Sequence, residues 1–107
     1  PAELLVSPQR LQLSLSRGDD LQLLDVREAN ELEVCGLAQA RNIPLGELDL
    51  HLHELDPERP LCLICYGGPR AERAAQRLLE AGFSRLQVLQ GGLKAWARDI
   101  DPDMPLY

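Results

Sequence analysis

The chain of 107 residues has only three cysteines, Cys35, Cys62 and Cys65, an odd and low number that does not build a disulfide scaffold. A reducing compartment, the cytoplasm, is therefore expected, with at least one thiol left free for chemistry. Positive charge is also scarce: eleven Lys and Arg stand against seventeen Asp and Glu, a net charge of −6. A general nucleic-acid binder needs a basic stripe to neutralise phosphates, and anionic membrane surfaces attract basic segments, so neither partner is expected. No apolar run approaches the roughly 18 residues of a transmembrane helix. The first residues, Pro1-Ala-Glu-Leu-Leu-Val6, lack the basic and long apolar regions of a signal peptide. Pro1 in place of Met reads as a processed start or as a domain cut from a longer chain. Internal repeats, low-complexity stretches and a nucleotide-type glycine loop are missing as well. What is present is 45% apolar residues in one domain-sized length, enough for one hydrophobic core in a single domain spanning 1–107, expected to be a monomer.

The order of elements follows from pattern and punctuation. Leu11, Leu13 and Leu15 alternate like a strand, yet Ser7-Pro8 reads as a helix cap followed by proline in the first turn, which predicts a helix over 8–17 ended by Gly18. The run 21–26 reads as a buried strand, 28–34 as a short helix, and 40–43 as a short strand ended by Pro44. Leu45, Leu48, Leu52 and Leu55 predict one helix face, closed by Asp56-Pro57. Residues 61–65 are apolar at every position, as a central parallel strand should be. Gly67-Gly-Pro69 predicts a loop. Ala71, Ala74, Ala75, Leu78 and Leu79 stripe a helix over 71–81, with Gly82 at its end. A strand over 86–89, a turn at Gly91-Gly92, a helix from 93 to about 98, and an irregular tail from Asp99 to Tyr107 complete the chain. Alternating strands and helices imply an α/β fold, with a mostly parallel sheet of about five strands covered by helices on both faces.

Ligands of such sheets bind at the carboxyl ends of strands, and Cys65 stands at one. In Cys65-Tyr-Gly-Gly-Pro-Arg70 a thiol ends a buried strand, two glycines follow, and an arginine precedes a well-patterned helix. Backbone N–H groups converging on the loop, aided by the helix start, suit an anion cradle and favour negative charge on the sulfur. The plainer reading is a buried cysteine beside an ordinary glycine turn. Cys62 and Cys65 form a C-x-x-C, but positions three apart on a strand face opposite ways, and zinc would need a second ligand pair. His51 and His53 diverge on their helix and read as solvated. Cys35 reads as a semi-buried small residue and Trp96 as a core anchor. Asp99, Asp101 and Asp103 begin like a calcium loop, but Met104 stands where its glycine should, so they read as a solvated acidic tail. No metal or other cofactor is called for.

Taken together, Leu24-Asp-Val-Arg-Glu28, Ala40-Arg-Asn-Ile-Pro-Leu45, the loop Cys65-x-x-Gly68-x-Arg70-Ala71, Gly82-Phe83, Leu89-x-Gly91-Gly92 and Ala95-Trp96 resemble, in this order and spacing, the rhodanese family of sulfurtransferases. The resemblance implies that Cys65 is catalytic. It would take a sulfane sulfur from a small anionic donor such as thiosulfate, or from a persulfide, and pass it to cyanide, a thiol or a sulfur-carrier protein. Tyr66, Gly67, Gly68, Pro69, Arg70 and Ala71 are implied as the substrate-binding loop, giving N–H groups everywhere except at Pro69. Cys35-Gly36 stands where the family often has a Gly-His pair, and Ala71 where Ser is common. The segment from Gly92 to Tyr107 is similar to the C-terminal rhodanese domains of adenylyltransferases that activate sulfur-carrier proteins.

Two other classes stay open. A cysteine-dependent phosphatase or arsenate reductase needs a cradle one residue longer than the four residues between Cys65 and Arg70. A non-catalytic binding module of this type usually lacks the loop cysteine. Arg70, the loop's only charged side chain, is expected either to meet a substrate anion or to pair with a helix carboxylate such as Glu72 or Glu80.

Overall fold

The computed structural model describes residues 4–107. Five strands form one sheet: β1 (Leu5–Val6), β2 (Gln22–Asp25), β3 (Arg41–Asn42), β4 (Leu61–Ile64) and β5 (Leu86–Leu89). Their order is β1-β5-β4-β2-β3 and every neighbouring pair is parallel. β4 lies in the middle, and each of its residues is buried. Parallel strands need crossovers, and helices α1 (Pro8–Arg17), α2 (Pro69–Glu80) and α3 (Gly92–Asp99) provide much of the cover on the two faces. The two faces are separate hydrophobic clusters. Leu24, Leu61, Leu63 and Cys65 pack with the Ala71, Ala74, Ala75 and Leu78 stripe of α2. Leu23, Cys62 and Ile64 pack with Leu11, Leu93 and Trp96 of α1 and α3. The period-two alternation of β4 thus sends Cys62 and Cys65 to opposite layers.

α1 spans the expected residues. Ser7 Oγ accepts a hydrogen bond from the Arg10 N–H (3.2 Å), and Gly18 ends the helix in the left-handed region at φ +70°. Leu13 is 52% exposed, which settles the period: alternation would have buried it with Leu11, and the helix turns it away. The short helix expected over 28–34 is a 3-10 turn, Ala29–Glu33, and the single helix expected over 45–55 is two 3-10 turns, Leu45–Leu50 and Leu52–Glu54, separated at His51. All four leucines still reach the core. A spacing nearer three than 3.6 residues per turn suits the tighter helix, which runs only in short pieces. β1 was not expected, since two strand residues carry no readable period. α2 begins at Pro69, not 71, with proline in its first turn. The last corrections are one residue or two at strand and helix ends. No helix among the described residues is long and apolar enough to cross a membrane.

Candidate active site

Cys65 follows the last residue of β4, and its neighbours in the chain turn at once into α2. Cys65 is 1% exposed. The Gly68 N–H donates to Cys65 Sγ at 3.0 Å, the geometry of a charge-assisting contact if the sulfur is ionised. Gly68 holds φ +126°, a conformation that a residue with Cβ resists. A second helix start meets the same strand end. The N–H groups of Leu93 and Lys94, in the first turn of α3, donate to the carbonyls of Cys65 and Tyr66, each at 3.0 Å. That approach requires Gly92, where a Cβ would sit 2.6 Å from the Cys65 carbonyl oxygen and closer still to that of Tyr66. Gly91-Gly92 reads from sequence as a turn only; the structure makes it a seat for the backbone of the cysteine loop.

Cys62 sits on the opposite layer, fully buried, and burial alone pushes its thiol up to about 12. Cys35, expected to be semi-buried and unpartnered, is 7% exposed. Its carbonyl accepts from Arg27 Nη2 (2.8 Å), and its sulfur lies 3.8 Å from Arg27 Nη1. His53 is exposed, and His51 is half-exposed with Nδ1 2.6 Å from Glu54 Oε2. Trp96 is buried, as expected of a core anchor. Ala71 is buried in the layer that holds Cys65.

Arg70 lies in the first turn of α2 and pairs with neither Glu72 nor Glu80. It forks onto Glu31, 39 residues earlier, with Nη1 to Oε2 at 2.7 Å and Nη2 to Oε1 at 2.9 Å. Helical neighbours lose to Glu31 because a planar guanidinium fits a carboxylate bidentately. Glu31 also accepts from the Tyr107 hydroxyl (2.7 Å) and from the Glu28 N–H (2.8 Å). The Arg70 guanidinium chiefly holds the Glu31 carboxyl down, at about 2; burial opposes it, and the Tyr107 hydroxyl and the Glu28 amide add to the lowering. The same contact raises Arg70 above the ordinary arginine value. One residue stretch earlier, Asp25 and Arg27 form a second pair. Arg27 Nε and Nη2 reach Asp25 at 3.0 and 2.7 Å, and neither residue is exposed. Burial opposes the Arg27 charge; hydrogen bonds to Asp25 and Tyr107 overcome it, leaving its pKa above the usual value. Asn42 Nδ2 donates to the carbonyls of both Asp25 and Arg27, at 3.0 and 2.9 Å, which fixes this turn against β3.

The rhodanese-like domain model matches residues 7–99. The chain belongs to that family. Its sequence is 37% identical over 97 residues to the Zea mays adenylyltransferase and sulfurtransferase MOCS3-1, covering 84% of this chain and 21% of that protein. The chain thus spans about a fifth to a quarter of the length of the first such relatives it matches. A rhodanese-related protein from Thermoplasma volcanium superposes with a TM-score of 0.80 at 26% identity, covering 89% of this chain and 91% of that one. A thiosulfate sulfurtransferase from Pseudomonas aeruginosa does so with a TM-score of 0.80 at 26% identity, covering 88% of this chain and 18% of that one. The sheet order places the loop after β4, the central strand, at the carboxyl end of the sheet, where the starts of α2 and α3 converge.

Proposed function

We propose that this rhodanese-like domain transfers sulfane sulfur through a persulfide on Cys65. The observation that carries the reading is the Gly68 N–H donating to Cys65 Sγ at 3.0 Å, at a strand end that leads directly into α2. In the first half-reaction the Cys65 thiolate attacks the outer sulfur of thiosulfate or of a donor persulfide. The donor S–S bond breaks, and sulfite or a thiolate leaves with the electron pair. In the second, cyanide or a nucleophilic thiol, free or borne by an acceptor protein, attacks the outer persulfide sulfur, and Cys65 leaves as thiolate. This is ping-pong covalent catalysis. Tyr66, Gly67, Gly68, Arg70 and Ala71 supply the loop N–H groups around the transferred sulfur, with Pro69 closing the turn. Thiosulfate is the small donor and a sulfur-carrier or thiol protein the acceptor, in a cytoplasmic monomer. The relatives named adenylyltransferase and sulfurtransferase support the carrier-protein partner.

The phosphatase reading has less support, because only four residues separate Cys65 from Arg70, one short of the cradle that a tetrahedral oxyanion needs. Steady-state transfer from thiosulfate to cyanide tests the proposal, alongside hydrolysis of an aryl phosphate. Transfer that disappears in Cys65→Ser and largely survives in Cys62→Ser and Cys35→Ser is expected. Equal loss in the Cys62 variant, or phosphatase turnover without sulfur transfer, contradicts it.

A further inference from the structure

The tail from Ile100 to Tyr107 crosses from the α1–α3 layer to the cysteine loop. Ile100 and Met104 pack on that layer, and Pro102 and Pro105 stiffen the path. At its end Tyr107 touches the start of the Cys65 loop and reaches the loop's end through Glu31. Its ring stacks on Tyr66, the residue after Cys65, with centroids 4.1 Å apart and planes 23° from parallel. The Tyr107 N–H donates to the Tyr66 hydroxyl at 3.0 Å, and that hydroxyl donates back to the Tyr107 main-chain oxygen. Outside the loop, the Tyr107 hydroxyl donates to Glu31 at 2.7 Å and accepts from Arg27 Nη1 at 2.9 Å. Glu31 in turn holds both Nη atoms of Arg70. These partners lie 41 to 80 residues away in sequence, so a single side chain ties the start of the loop, its end and the buried Asp25–Arg27 pair.

We propose that Tyr107 is a positioning residue for the sulfur-transfer site, a clasp that fixes Tyr66 and, through Glu31, the guanidinium of Arg70. The role rests on the reading that Cys65 carries sulfur. By holding the loop's one cation in place, the clasp governs binding of an anionic donor more than the transfer step that follows. Tyr107 is 48% exposed, so its replacement leaves the core intact.

Tyr107→Phe keeps the stack and the main-chain bonds and loses only the hydroxyl contacts; Tyr107→Ala loses the stack and those hydroxyl contacts. With thiosulfate and cyanide, Tyr107→Phe is expected to raise KM by roughly 2- to 12-fold, the worth of one net hydrogen bond, with kcat nearly unchanged. Tyr107→Ala is expected to raise it further. A KM equal to wild type in both variants, or losses confined to kcat that track a lowered melting temperature, overturns the proposal. A second readout is independent of sulfur transfer: the rate of iodoacetamide alkylation at Cys65, followed by peptide mapping, rises from wild type through Tyr107→Phe to Tyr107→Ala. Equal rates overturn the clasp even if the wild-type domain takes no sulfur from thiosulfate. A wild-type domain that takes none, with the graded alkylation rates intact, instead removes the sulfur-transfer reading and leaves the clasp standing.

Discussion

The two arginine–carboxylate pairs beside the cysteine loop are alike in chemistry and opposite in setting. Asp25 and Arg27 are sealed from solvent, with side-chain exposures of 1% and 0%, whereas Glu31 and Arg70 are open to it at 17% and 30%. The sealed pair has its charges spoken for on several sides, by Asn42 through the adjoining carbonyls, by the Cys35 carbonyl and by Tyr107. It behaves as framework. The open pair joins the 3-10 turn at Glu31 to the first turn of α2, across the loop that carries Cys65. Its groups can exchange partners with water at far lower cost, which suits the same pairing to adjustable contacts. The contrast places rigidity under the site and exchangeability at its mouth.

The contrast is broken most severely at Arg27. Arg27→Ala leaves Asp25 buried without its cation, and a loss of about 3–5 kcal/mol in urea unfolding is expected; a loss below 1 kcal/mol would show the sealed pair to be dispensable. Next comes Gly92→Ala, which forces a Cβ against the Cys65 and Tyr66 carbonyls at φ +64°. A destabilisation of roughly 1–3 kcal/mol is expected from the overpacking, with transfer activity falling beyond what unfolding explains, because α3 seats the cysteine loop. An unchanged melting temperature would contradict that seat.

Arg70→Ala should differ in kind. The half-buried pair is still screened by solvent and contributes on the order of 1 kcal/mol of stability, so unfolding moves little. The KM for thiosulfate rises about 5- to 150-fold, the range of a lost contact to a charge, and more than that for a neutral or protein-borne donor. Arg70→Lys rescues in part, a point charge replacing a fork. Equal losses for charged and neutral donors would show that Arg70 shapes the loop without recognising the anion. The smallest effect is acid sensitivity. Glu31 is held near 2 in the folded domain, against an ordinary value of 4.5. Its contribution is therefore complete above about 4.5 and is lost as pH falls from there through 2. Glu31→Gln should flatten the fall of melting temperature across that window; an unchanged slope would mean that other carboxylates carry it.

Much of this was readable from residues alone, where the signal is local. The apolar run at 61–65, the stripe of α2 and the caps at Ser7 and Gly18 each state their structure within a few positions, and the opposite facing of Cys62 and Cys65 follows from strand periodicity. Short elements escape that reading. β1 has two residues, and the leucines at 45–55 keep one face under either helix type, so their 3-10 turns were legible as a face and not as a geometry. The charged framework was invisible for a different reason. Asp25 and Arg27 stand in a motif that carries the resemblance, but nothing in it says that Arg27 will be fully buried. Glu31 meets Arg70 across 39 residues and Tyr107 across 76, and no periodicity links positions so far apart. The nearby Glu72 and Glu80 were therefore the natural partners to expect for Arg70, and the structure supplies a bidentate one instead.

The claim on which the rest depends is that Cys65, and neither Cys62 nor Cys35, carries the sulfur. Intact mass spectrometry after incubation with thiosulfate, before and after addition of cyanide, tests it directly on wild type, Cys65→Ser, Cys62→Ser and Cys35→Ser. The persulfide assignment predicts a gain of one sulfur atom that cyanide removes, present in wild type and in the Cys62 and Cys35 variants and absent in Cys65→Ser. A cyanide-labile sulfur that persists without Cys65, or no uptake by wild type from thiosulfate or from a small persulfide donor, would contradict it.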